Sequence, residues 1–137
     1  MDASRSVKVI VTGSRDWPDI DAVCLALWRA YLVAERGGYS LTVVHGGCAT
    51  GADAMTSAWC RIAVDLGLNV VEQVFYADWR RGRRAGPERN RRMIECGADK
   101  VIAFNRNDSR GTTGTVRMAE EAGIPVEPYT IRDKEVA

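Results

Sequence analysis

"VVHGGCATGADAM", residues Val43 to Met55, passes from a β-branched apolar run through a loop holding three glycines into the start of an amphipathic segment. The run "LTVVH" (Leu41 to His45) is short and nearly all apolar, as a strand covered on both faces of a parallel sheet must be. Beyond the loop, Met55, Ala58, Ile62 and Leu66 keep helical spacing until Gly67. A strand, a bare turn and a helix make the first half of a βαβ unit, and the alternation continues in both directions.

Upstream lies "VKVIVT" (Val7 to Thr12); downstream follow "NVVEQVF" (Asn69 to Phe75), "KVIAF" (Lys100 to Phe104) and "PVEPY" (Pro125 to Tyr129), the last limited by Pro128 to a sheet edge. Between strands one and two, Ile20, Val23, Leu27, Tyr31 and Ala34 mark a helix closed by Gly37-Gly38. A third helix is expected from about Pro87 to Gly97 and a fourth from about Thr115 to Gly123. This order predicts a doubly wound α/β fold with five parallel strands in the order 3-2-1-4-5. One domain is expected over residues 1–137, with its core at about 7–130 and frayed ends at Met1 to Ser6 and Asp133 to Ala137.

In such a sheet, ligands bind at the carboxyl ends of the strands, where the strand order reverses. Three loops converge there: "GSRDW" (Gly13 to Trp17), "GGCATGAD" (Gly46 to Asp53) and "NRNDSRGTTGT" (Asn105 to Thr115). The second and third open helices, whose free N–H groups and dipole favour an anion. Gly46, Gly47 and Gly51, with Gly111, Thr112, Thr113, Gly114 and Thr115, are therefore expected to hold phosphate; Gly13, Ser14 and Thr50 complete the loops. Arg15 and Arg89 would add charge, with Asn90 beside them, and Asp53 and Trp17 would contact ribose and base; Trp17 and Trp79 read either as rings that stack on a base or as packing covers. Asp53 reads equally well as a cap of helix two. His45, the only histidine, either binds a neighbouring turn or stands at the crevice rim.

"WRRGRRAGPERNRRM" (Trp79 to Met93) packs seven arginines into positions 80 to 92, with Glu88 alone against them. The run can fold over the crevice toward phosphate, stay a solvated face, or track single-stranded nucleic acid together with Trp79. With 19 Lys and Arg against 18 Asp and Glu, the net charge of +1 gives no global pull toward nucleic acid or anionic membranes. Cys24, Cys48, Cys60 and Cys96 form no C-x-x-C pair, and neither a signal segment nor a membrane span is present in the sequence, which points to the cytoplasm. No metal site and no cofactor are expected. Helix one carries a further apolar stripe, Leu25, Trp28 and Leu32, which lies either under a loop or at the interface of a homodimer or higher homo-oligomer.

Four motifs, "VIVTGSRDW", "VVHGGCATGADAMTSAW", "AGPERNRRMIECGADKVIAF" and "GTTGTVRMAEEAGIPV", occur in the order found in the SLOG superfamily. The chain resembles this Rossmann-like group, which includes the LOG nucleotide phosphoribohydrolases and the DNA-processing protein DprA, and most of all its small YspA/YpsA-related branch. The resemblance implies a nucleotide or nucleotide-derived ligand on the glycine loops. LOG enzymes cleave an N-glycosidic bond with an arginine and a glutamate; "RNRRM" puts Arg89 at the arginine position, while Met118 stands at that of the glutamate. Glu120 and Glu121 follow two and three residues later, roughly 200 to 300° around a helix. Binding is therefore the expectation, with an N-glycosidase using Arg89, Asp53 and Glu121 or Glu120, or a single-stranded nucleic-acid module, as alternatives.

Overall fold

The computed structural model describes residues 5–133. It holds a five-stranded sheet in the order β3-β2-β1-β4-β5, every neighbouring pair parallel. The strands are β1 (Ser6–Gly13), β2 (Ser40–His45), β3 (Val70–Val74), β4 (Lys100–Arg106) and β5 (Val126–Ile131). The helices are α1 (Ile20–Arg36), α2 (Gly51–Asp65), α3 (Ala85–Glu95) and α4 (Arg110–Glu121), with a 3-10 segment over Trp79–Arg84 before α3. The doubly wound parallel sheet read from the sequence is thus the observed fold.

Alternating side chains of the apolar strands feed two cores. Val9, Val11, Val43, Ile102 and Phe104 pack under α1 and α2, with Leu27, Ala34, Trp59 and Ala63. On the other face Ile10, Val44 and Val101 meet Met93 and Ile94 of α3 and Ala119 of α4, a thinner layer. Pro128 sits in the edge strand β5, opposite Ala103. No helix among the described residues is long and apolar enough to cross a membrane.

Three expectations are corrected. Ser6 is no frayed end but pairs with Ser40, and Asp133 accepts hydrogen bonds from Arg106 and Asn107; residues 1–4 and 134–137 lie outside the described residues. α3 starts two residues before Pro87, directly after the 3-10 segment. α4 starts at Arg110, five residues before Thr115, so "RGTTG" is helix rather than loop. Glycine disfavours a helix by about 1 kcal/mol, but side-chain bonds at the helix start outweigh that here, among them Ser14 Oγ to Ser109 Oγ at 2.9 Å. Asn105 accepts from the Ser109 N–H at 2.8 Å and donates to Thr113 Oγ1 at 3.1 Å, fixing the first turn.

Candidate functional site

At the carboxyl ends of β1, β2 and β4 a cleft of about 500 Å³ opens between α3, α4 and the loops after β1 and β2. Of the expected residues, Gly13, Ser14, Arg15, Gly46 and Asp53 line it from the first two loops. Arg89 and Asn90 reach it from α3, and Gly111, Thr112 and Gly114 from α4. The remaining expected residues lie outside the cleft lining.

Trp17 is corrected from a base-stacking role: it is 3 % exposed, its ring lies 5.3 Å from that of Phe104, and its indole N–H donates to the Asp19 carbonyl. His45 is buried as well. Its Nε2 is 2.6 Å from Glu72 Oε2, and its Nδ1 accepts the Gly47 N–H at 3.0 Å, so the ring ties β3 to the glycine turn. Gly47 packs beside Val74 and Tyr76, and Thr50 is an exposed N-cap residue of α2. Thr113 and Thr115 spend their hydroxyls on Asn105 and on the Gly111 carbonyl. Glu121 is exposed in the last turn of α4, about 15 Å along the axis from the helix start that borders the cleft, and Glu120 is exposed beside it.

The two glycine-bearing helix starts differ in what they leave free. At α2 the Ala52 N–H donates to the Ser14 carbonyl, and a side chain on Gly51, whose φ is +69°, would run into that same carbonyl. Asp53, 6 % exposed in the first turn, accepts the Cys48 N–H at 3.2 Å and is itself the carboxylate at that helix start. The bareness of Gly51 therefore serves contact with the first loop. At α4, by contrast, the N–H groups of Arg110, Gly111 and Thr112 make no hydrogen bond among the described residues, and Ser109 gives no side-chain cap. The Thr112 hydroxyl, buried in the cleft wall, also has no partner among the described residues.

Arg89 is 5 % exposed. Its Nε donates to Asn90 Oδ1 at 2.7 Å and its Nη1 to the Gly46 carbonyl, and no carboxylate pairs with it among the described residues. Burying a guanidinium that has only neutral acceptors among the described residues is costly unless an anion arrives. Arg15, Arg83 and Arg110 border the same cleft, and Arg15 stacks over the Trp79 ring at 5.5 Å. Met93, Met118, Pro87 and Trp79 add apolar lining to the cleft.

Sequence reading pointed to Trp79 as a ring for a base but missed Met93, Met118 and Pro87, and it missed Cys48, Ser109 and Arg110 as lining residues. For Met93 and Met118 the helical period was available; which face of each helix the cleft enters was not. Burial pushes the Cys48 thiol up, and the neighbouring Asp53 carboxylate pushes it further. The arginine run is largely dispersed: Arg80 pairs with Asp78, Arg81 with Glu88, and Arg92 donates to the Tyr76 carbonyl.

Residues 7–82 match the sequence profile of the YspA, cpYpsA-related SLOG family. The Gene 61 protein of Mycobacterium phage D29 is 42 % identical over 120 residues, covering 87 % of this chain and 93 % of that one. Among solved structures, the C-terminal domain of the PF1911 hydrogenase from Pyrococcus furiosus is 12 % identical with a TM-score of 0.42, covering 93 % of this chain and 94 % of that one. The protein MT0777 is 13 % identical with a TM-score of 0.44, covering 96 % of this chain and 89 % of its own.

Proposed function

Since the chain belongs to the YspA, cpYpsA-related SLOG family, we propose that its cleft binds a phosphorylated, nucleotide-derived small molecule. One observation carries this reading: the buried guanidinium of Arg89 and the first N–H groups of α4, none of which has a carboxylate or other charged partner among the described residues, border one cleft that also has apolar lining. A phosphate seats at the α4 start, where Arg110, Gly111 and Thr112 offer backbone donors and the Thr112 hydroxyl lacks a partner among the described residues. Arg89 and Arg15 supply opposite charge, and a base or other flat ring lies against Met93, Met118 and Trp79.

Binding without hydrolysis is favoured by the carboxylates at hand. Met118, an apolar side chain, lines the cleft at the position of the LOG glutamate, while Glu120 and Glu121 lie beyond it. Asp53 keeps the hydrolytic reading alive, as a buried carboxylate in the cleft wall. Thermal-shift titration with a panel of nucleoside monophosphates, nucleoside diphosphates and ADP-ribose tests the proposal. A ligand at about 100 times its dissociation constant should add roughly 2.7 kcal/mol of stability; no response from any member rejects the reading. Release of free base from a bound monophosphate would replace it with the hydrolytic one.

A further inference from the structure

The outer face of α1 carries two leucines placed symmetrically about its middle and opposite charges at its two ends. Asp21, Leu25, Trp28, Leu32 and Arg36 fall within about 80° of one another at 100° per residue. No loop covers them among the described residues: Leu25 is 52 % and Leu32 48 % exposed, and Asp21 and Arg36 are exposed without an ion-pair partner among the described residues. Asp21 and Arg36 are equally far from the midpoint between residues 28 and 29, and so are Leu25 and Leu32. Opposite charges at the ends would suit the helix dipole on their own account, but the dipole gives no reason for two exposed leucines placed symmetrically between them.

α2 widens the apolar strip. The Trp28 and Trp59 rings meet edge to face at 5.2 Å, which sets the Trp59 side of α2 against α1. Ile62 and Leu66, one and two turns beyond Trp59, continue that side and are 55 % and 65 % exposed. Two helices of this length, about 25 Å long and about 10 Å apart, offer a face of the size class of a standard dimer interface.

We infer that α1 packs antiparallel against α1 of a second copy of this chain, giving a two-fold dimer. In that register each residue faces the one equally far from the midpoint: Asp21 meets Arg36 of the second copy, and Leu25 meets its Leu32, each pair formed twice. A different partner would have no reason to match a pattern that complements itself. The face lies on the α1 and α2 side of the sheet, away from the α3 and α4 layer that borders the cleft, so the dimer leaves the cleft open and stands or falls independently of what binds there.

Sedimentation equilibrium of the whole chain at micromolar concentration tests the inference. The unmutated protein should give twice its mass of 15.1 kDa. Leu25→Glu with Leu32→Glu should give monomers of unchanged circular dichroism, because both side chains are already exposed. Asp21→Arg alone should weaken the dimer about tenfold or more by creating two repulsive pairs, and adding Arg36→Asp should restore it. A monomer for the unmutated chain, or a dimer indifferent to the paired glutamates, overturns the inference; a double charge swap no tighter than Asp21→Arg overturns the antiparallel register.

Discussion

A Cβ atom added to Gly46 would stand 2.5 Å from Nη1 and 2.6 Å from Cζ of Arg89, so the bare position at the end of β2 is filled by a guanidinium from α3. The two residues are 43 positions apart in the chain. The glycine is there to let an arginine in, and the arginine brings its charge to the cleft through that gap.

Gly46→Ala should therefore behave as a lesion of Arg89. Overpacking of this kind costs about 1 to 3 kcal/mol, read as a lowered urea midpoint, and ligand affinity should fall alongside. Arg89→Ala should lose roughly 10 to 150 fold in affinity, as one charge-assisted contact does, while Arg83→Ala, an exposed change, should do far less. Equal, small losses for Arg89 and Arg83 would assign the site to diffuse electrostatics.

Gly111 and Gly114 are expected to set stability against binding. Both are helical, and a methyl group built on either would meet no atom within 4 Å. Alanine there should stabilise α4 by about 0.5 to 1 kcal/mol, yet the added methyl narrows the cleft both residues line. A variant that melts higher and binds weaker locates the ligand at α4; one that melts higher and binds as before removes it from there. At Gly51 the outcome reverses, since its positive φ and the Ser14 carbonyl both oppose a side chain, and alanine should simply destabilise.

His45→Ala should cost about 2 to 4 kcal/mol in chemical denaturation, combining a cavity with two stranded partners, Glu72 and the Gly47 N–H. Glu72→Gln should cost less, because an amide oxygen can still accept from Nε2 and a partly exposed side chain can rehydrate.

The thiols should separate in a timed alkylation at pH 8. Burial, helped by the Glu72 charge, pushes Cys60 up to about 12, so almost no thiolate exists there and labelling should await unfolding. Cys96 is exposed and should react first. Cys48, raised less and lining the cleft, should react slowly and become protected by a bound ligand. Ligand that leaves its rate unchanged would place the binding elsewhere.

The strand order and the cleft's position were legible because burial of a parallel sheet leaves a local mark: β-branched runs at each strand, and bare loops after them. The start of α4 was not, since Gly111 and Gly114 oppose a helix locally and its first turn is fixed by side-chain bonds from Asn105 and, across the fold, from Ser14 to Ser109. Trp17 looks in sequence like a rim residue, and that it turns inward depends on Phe104 on a neighbouring strand; for His45 the reading as a partner of a neighbouring turn holds, through Gly47, while its tie to Glu72 on β3 left no local mark. The 3-10 segment at Trp79–Arg84 hid behind its arginines, whose partners Asp78 and Glu88 had to be seen at bonding distance.

The inequality of the two cores has a consequence for motion. Half of the cleft hangs on α3 and α4, which are held to the sheet by a handful of side chains around Ile10, Val44, Met93 and Ala119, whereas α1 and α2 rest on a far broader layer. In native-state hydrogen exchange, amides of α3 and α4 should open at lower free energy than those of α1 and α2. A ligand that bridges Arg89 on α3 to the first turn of α4 would then act as the missing fastener of the weaker half, and the exchange rates of those two helices, more than any shift in shape, would report whether the cleft is filled.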